Sequence, residues 1–258
     1  MGKSIAIFNQ KGGVGKTTTA VNFSAALAEK GKRVLLVDND PQGNLTSGVG
    51  IDKNSLEKSI YHVLINEASI EDVILHTSFE RLDILPGSVD LAGAEIEIID
   101  FEDREFLLKK QILKVKDSYD YIIVDCPPSL GLLTINALVA VDSVLIPIQC
   151  EYYALEGVSQ LVNTFNLVKK SINSDLEIQG VLLSMFDGRT NLSIQVVEEV
   201  KKHFKQLVYA TIIPRNIRLA EAPSFGLPII HYDRKSKGAE SYLELADEFL
   251  DLEEDNEH

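Results

Sequence analysis

The 258-residue sequence predicts a doubly wound α/β domain, a mostly parallel sheet with helices on both faces. Three observations carry that expectation. Short apolar runs alternate with amphipathic stretches of roughly 10–20 residues, the pattern of parallel βαβ units. Several of the runs are continuously apolar, as strands buried on both faces are. No internal repeat, low-complexity tract or Pro/Gly/Ser-rich linker breaks the series, so one domain over 1–258 is expected, with a short acidic tail at about 251–258.

Taken in order, the predicted strands are Ser4–Asn9, Arg33–Val37, Leu82–Leu85, Tyr121–Asp125, Ser143–Ile148, Ile178–Ser184 and Val208–Ile213. Thr17–Lys30 reads as a helix stopped by Gly31, and Glu151–Lys170, Thr190–Phe204 and Ala239–Leu250 also have helical periodicity.

Composition narrows the function classes. No run approaches the ~18–20 apolar residues that a membrane span requires. Two cysteines, Cys126 and Cys150, fit a reducing compartment, the cytoplasm, and no disulfide framework. A net charge of −14 argues against a chain that is basic all over for nucleic acid. The charge is unevenly spread, however. Residues 201–239 hold eight Lys or Arg against Glu221 and Asp233, a net +6 that leaves −20 on the rest. Such asymmetry points to a partner for the basic stretch, although solvated helix faces would produce the same pattern.

Between the first strand and first helix lies Lys11-Gly12-Gly13-Val14-Gly15-Lys16-Thr17-Thr18. Three glycines in four residues allow backbone angles that a β-carbon forbids, so consecutive N–H groups can turn toward a phosphate at the positive end of the helix. Lys16 supplies a full charge for the β- and γ-phosphates, and Thr17 a hydroxyl for a metal. Gln10 occupies the first Gly position of Gly-x-x-x-x-Gly-Lys-[Ser/Thr], and a second lysine, Lys11, enters the loop. Two further strand ends add carboxylates: Asp38 and Asp40, and Asp125 after Tyr121-Ile-Ile-Val. The carboxyl edge of an open α/β sheet is where ligands bind. Hard carboxylates there suit magnesium, which keeps much of its water. A lone aspartate could simply cap a helix; three around one phosphate loop make that a poor joint account. Asn9 and Gln10 are expected to satisfy loop backbone, and Tyr152 and Tyr153 to pack at a helix start.

The loop, with Asp38-x-Asp40-Pro-Gln-Gly-Asn44 and Asp125-Cys-Pro-Pro-Ser-Leu-Gly131, resembles the deviant Walker A ATPases. More narrowly it is similar to the ParA proteins of chromosome and plasmid partition, in their short Soj-type form. Gln149-Cys-Glu-Tyr-Tyr-Ala-Leu-Glu-Gly157, Gly188-Arg-Thr-Asn191, Ile213-Pro-Arg-Asn216 and Glu221-Ala-Pro-Ser224 agree, so the likeness runs from about residue 4 to 245. It implies ATP and Mg²⁺ as cofactors, and an ATP-bound sandwich homodimer. In that dimer Lys11 reaches the partner's nucleotide as an arginine finger does elsewhere. It also implies that Lys16 binds phosphate, that Asp40 positions the attacking water, and that Thr17, Asp38 and Asp125 serve the metal. Pro214 and Asn216 would flank the adenine, and Gly12 would lie where two subunits press together. Non-specific binding to double-stranded DNA through Arg189, Arg218 and the basic 201–239 region is implied, as is a ParB-type partner that stimulates slow hydrolysis. Such a protein works in the cytoplasm on the nucleoid.

Two other readings are weighed. A MinD-like membrane ATPase needs a basic amphipathic C-terminal helix, whereas Ala239–Leu250 runs into Asp251-Leu-Glu-Glu-Asp-Asn-Glu, which anionic lipid repels. An iron–sulfur carrier like the nitrogenase iron protein would use Cys126 and Cys150 across a dimer. No Cys-x-x-Cys is present, and buried small hydrophobes account for both cysteines better.

Overall fold

The computed structural model describes residues 2–151 and 154–256. Among them are eight strands: β1 (Lys3–Ile7), β2 (Val34–Asp38), β3 (Leu75–His76), β4 (Leu82–Leu85), β5 (Tyr121–Asp125), β6 (Ser143–Gln149), β7 (Glu177–Phe186) and β8 (Val208–Pro214). They form one sheet in the order β3-β4-β2-β5-β1-β6-β7-β8. All neighbours pair in parallel except β3 with β4. The predicted mostly parallel sheet is therefore present, and β3 is the strand that the sequence reading lacks. Two residues paired at a sheet edge leave no period-2 pattern to detect.

The helices, in chain order, are α1 (Lys16–Glu29), α2 (Asn44–Gly48), α3 (Ile60–Leu64), α4 (Ile70–Val73), α5 (Leu91–Glu97) and α6 (Leu107–Val115). There follow α7 (Leu132–Ala140), α8 (Ala154–Ser171), α9 (Asn191–Phe204), α10 (Ile217–Glu221), α11 (Ile229–Tyr232) and α12 (Lys237–Asn256). Alternation along the strands feeds two cores. Ile5, Ile7, Leu36 and Ile123 face a layer built by α1, α11 and α12. Ala6, Phe8, Leu35 and Val124 face a layer built by α3 through α9. Both faces are covered, which explains why β1, β2 and β5 read as unbroken apolar runs.

Topology places the site. From β1 the chain winds one way, through β2 to β4, and later the other way, from β6 to β8. The crevice at such a switch point opens beyond the carboxyl end of β1, where the glycine-rich loop follows.

The expected acidic tail is largely helical. Tyr242, Leu245, Ala246 and Phe249 bury one stripe of α12, and the helix continues to Asn256. Its last turns are held by Glu253, which accepts from Lys3 Nζ (2.7 Å) and from Gln179 Nε2 (3.0 Å). These partners lie far away in sequence, so composition alone reads the segment as solvated.

One close approach fixes the 222–226 turn. Gly226 has φ +65°, and a β-carbon there would stand 2.6 Å from Gly50 Cα, backbone that cannot swing aside. Gly226→Ala is therefore expected to destabilise the fold by about 2–3 kcal/mol. Urea titration at equilibrium measures it; an unchanged midpoint would mean that this contact is not made.

Candidate functional site

The loop after β1 is held from beneath by side chains. Asn9 Nδ2 donates to Pro147 O (2.8 Å), while its Oδ1 accepts from Lys11 N (2.9 Å). Gln10 Nε2 donates to Thr164 Oγ1 (2.7 Å). Asn9 thus satisfies loop backbone, as expected of both residues, whereas Gln10 bonds a side chain of α8 instead. Ser184 Oγ, from β7, donates to Val14 O (2.8 Å) and pins the loop's outer turn. Gly15, with φ +91°, then caps α1 and aims its first N–H groups into the crevice.

Lys16 is 7% exposed, and its Nζ donates to Lys11 O (3.1 Å). Burial pulls its pKa down, while Asp125 and Asp40 oppose that fall. A buried ammonium beside inward-facing N–H groups is a ready anion ligand. The Lys11 ammonium, by contrast, has no hydrogen-bond or ion-pair partner among the described residues. Next to it Gly12 is exposed, and a β-carbon there would meet nothing within 4 Å.

The carboxylates meet as neighbours in the sheet, because Asp38 and Asp125 are register partners at the ends of β2 and β5. Thr17 Oγ1 donates to Asp125 Oδ2 (2.6 Å). Asp125 Oδ1 is buried without a hydrogen-bond partner among the described residues. Burial, and then the Asp38 charge, push the Asp125 carboxyl well above the usual carboxylate range. Asp38 is fully buried and pushed up to about 6, again by burial first. Its Oδ2 accepts from Thr46 N (2.8 Å) and Thr46 Oγ1 (2.6 Å), and Gly87 N donates to that hydroxyl (2.9 Å). Asp40 is half-buried; its Oδ1 accepts from Gln42 N (2.9 Å).

Two buried carboxylates side by side, one with an orphaned oxygen, fit a divalent cation. No three His, Cys, Asp or Glu side chains converge as a metal cage among the described residues. The fit is thus to a hard ion that brings its own waters and phosphate ligands. Thr46 is the residue here that sequence reasoning misses. A threonine eight positions beyond a strand-end aspartate carries no signal until the loop folds back.

A cavity of about 190 Å³ opens beside the loop, walled by Gly15, Thr18, Met185, Pro214, Asn216 and Tyr242. The two predicted adenine neighbours, Pro214 and Asn216, are thus brought to Thr18. Asn216 Oδ1 itself accepts from Arg218 N (2.8 Å) and caps α10. Met185 sits at φ +51° at the end of β7, an unusual conformation for a side chain of its size. Neither Met185 nor Tyr242, a core residue of α12, is predicted from sequence to line the cavity.

The two arginines expected to reach DNA are exposed but already paired. Arg189 Nη2 lies 2.6 Å from Asp187 Oδ2, and Arg218 Nη1 lies 2.8 Å from Glu221 Oε2. Arg234, in the same basic region, pairs with Glu29. Exposed pairs of this kind are worth little and can be exchanged for another anion. Cys126 and Cys150 are buried, at 1% and 3% exposure, and burial pushes both thiols up. Tyr152 and Tyr153 lie outside the described residues. No helix among the described residues is long and apolar enough to cross a membrane.

A family model described as an AAA domain matches residues 2–178. The chain is also 64% identical over 248 residues to the sporulation initiation inhibitor protein Soj of Bacillus subtilis, covering 96% of this chain and 98% of that protein. It belongs to the Soj/ParA family. A second member, the chromosome partitioning protein ParA of Myxococcus xanthus, is 55% identical over 250 residues, covering 97% of this chain and 88% of that protein. The crystal structure of cobyrinic acid a,c-diamide synthase from Mycobacterium smegmatis, with bound ATP analog and magnesium, superposes with a TM-score of 0.85 at 40% identity. It covers 96% of this chain and 93% of that one. The Soj/ParA family is one of partitioning ATPases on the P-loop fold, and the glycine-rich loop described above is that fold's phosphate site.

Proposed function

We propose that this Soj/ParA chain is an ATP-dependent DNA-partitioning protein. It binds ATP with Mg²⁺ and closes into a nucleotide-sandwich homodimer. That dimer binds double-stranded DNA without sequence preference, and slow hydrolysis stimulated by a ParB-type partner releases it. Its place is in the cytoplasm, on the nucleoid.

The supporting observation is the pairing of a lone cation with an unfilled flank. Lys11 is unpartnered among the described residues, and Gly12 stands where this chain's own packing leaves room for a side chain. Nothing within the subunit requires Gly12 to be small. A second subunit closing over the loop would.

The phosphate-binding role falls to Lys16 and to the backbone N–H groups of Gly12, Gly13, Val14, Gly15, Thr17 and Thr18. Thr17, Asp38 and Asp125 would hold magnesium, which supplies charge neutralisation of the β- and γ-phosphates. Asp40, at the rim, would orient the attacking water. Pro214 and Asn216 would bracket the adenine in the cavity beside Thr18. Lys11 from the facing subunit would compensate charge in the transition state, so one chain alone lacks a complete set and hydrolyses slowly.

Dimerisation also accounts for DNA binding by an acidic chain. Arg189, Arg218 and the 201–239 cations can release phosphate counterions, and two such patches on one duplex roughly double the salt slope. ATP-saturated protein should sediment with duplex DNA, with a salt dependence that falls when Arg218 is replaced by Ala.

The deciding variant is Gly12→Val. Its thermal midpoint and ATP affinity should stay close to the wild type, since a β-carbon there meets nothing within 4 Å and the backbone N–H is retained. Its ATP-dependent shift to dimer in size-exclusion chromatography, together with DNA co-sedimentation, should disappear. A Gly12→Val protein that still dimerised with ATP would refute the sandwich.

A further inference from the structure

A second cavity, of about 380 Å³, lies outside the carboxyl ends of β2 and β4, between α3 and the turn over 86–90. It does not share a lining residue with the cavity beside Thr18. Its size falls within the ~300–1,000 Å³ of small-molecule sites. None of its lining residues has a part in the proposed nucleotide site.

Hydrogen-bond donors dominate its wall. Lys58 is exposed, and its ammonium has no partner among the described residues. Lys53 Nζ donates to Gln42 O, leaving further N–H groups for another acceptor. His62 Nδ1 accepts from Ser59 N (3.2 Å), which places the neutral ring's proton on Nε2, a further donor. At the base, Ser59 and Ser88 are 2% and 7% exposed, with their hydroxyls 2.9 Å apart. Asp90 is the one acid in the lining, an exposed residue that accepts from Ser88 Oγ (3.2 Å). Val89, 75% exposed, and Leu56 add apolar surface at the mouth.

We propose that this cavity, where Lys53, Lys58 and His62 converge over the buried Ser59–Ser88 hydroxyl pair, binds a phosphate-bearing small molecule. Two ammonium groups and a ring N–H, above serine hydroxyls whose own protons go to each other and to Asp90, match a charged group that is rich in acceptors and able to take several donors at once. The apolar rim suits the organic part of such a molecule. A duplex backbone is a poorer fit, because the serine hydroxyls lie at the bottom of a pocket instead of along a ridge. The site borders the Pro41–Gln42 stretch beside Asp40, so its occupant would sit one turn of chain from the carboxylate cluster.

The test is calorimetric titration of inorganic phosphate and of pyrophosphate into the full chain, presaturated with ADP without magnesium so that the loop after β1 is filled. Wild type should take up one pyrophosphate per chain. Lys58→Ala, which removes an ammonium, and Val89→Trp, which blocks the mouth, should each weaken that affinity about tenfold or more. Both positions are exposed, and unchanged melting temperatures would show that both variants are folded. Absence of saturable binding by wild type up to millimolar pyrophosphate would overturn the proposal. So would equal affinity in all three proteins, or displacement of pyrophosphate by a short DNA duplex, which would assign the pocket to nucleic acid.

Discussion

Replacing Lys16 with Ala is expected to weaken ATP affinity by about a hundredfold or more while leaving the fold intact, since two charge-assisted contacts worth ~1.5–3 kcal/mol each are lost. The asymmetry follows from its setting. Lys16 is buried, its pKa is pulled down by desolvation, and its one hydrogen bond among the described residues runs to the Lys11 carbonyl. An ammonium in that position is costly to the free protein and valuable to a triphosphate. Calorimetry with ATP and magnesium, paired with thermal melts, separates the two effects. A Lys16→Ala protein with wild-type affinity would show that the triphosphate is not cradled here, and the sandwich dimer would lose its foundation.

Asp125→Asn should raise the melting temperature of the ligand-free protein at neutral pH by about 5 °C, on the scale of 2–4 °C per kcal/mol for a chain of this size. It should also remove magnesium-dependent nucleotide binding. Two carboxyls are held here above their unfolded values, Asp125 well above and Asp38 at about 6. A carboxyl whose folded pKa is raised keeps its proton longer in the folded state than in the unfolded chain. Stability is then unaffected below the unfolded value near 3.8, falls as pH rises toward 6, and stays low beyond. At ~1.4 kcal/mol per unit, the Asp38 shift alone amounts to about 3 kcal/mol at neutral pH. In the Asp125→Asn variant the amide carbonyl still accepts from Thr17, and the repulsion of Asp38 is gone. The gap between variant and wild type should therefore be small at pH 4 and widest above pH 6, when read by differential scanning calorimetry. ATP with magnesium should reverse the ranking. A gap independent of pH would mean that neither carboxyl carries the burden assigned to it.

These effects rest on residues that the sequence displays openly. Gly15, Lys16 and Thr17 are a local motif, and the structure puts them at a strand-to-helix turn because the chain's own pattern demands one there. Asp38 and Asp125 were visible as strand ends; their pairing in register was not, since it depends on β5 inserting between β1 and β2. Thr46 and Ser184 were silent for the same reason. Each acts through a hydrogen bond to a residue brought near by folding. Met185 and Tyr242 were hidden differently, as apolar-looking members of a strand and a helix that turn one edge to a cavity. The long helices α9 and α12 were readable from their stripes, while α1, buried almost all round, was readable from the glycine-rich loop before it and Gly31 after it. The short helices between β2 and β5 are four to nine residues long, too brief for periodicity to mark them clearly.

The tie from Glu253 to Lys3 and Gln179 has a practical corollary. Lys3 opens β1, and the glycine-rich turn follows that strand's other end, so the last turns of α12 dock on the rim of the sheet farthest from the nucleotide crevice. A fluorescent or affinity module joined near either end of 3–253 would hang from that distal rim. It would leave the carboxyl edge of the sheet, where the proposed dimer closes, unobstructed.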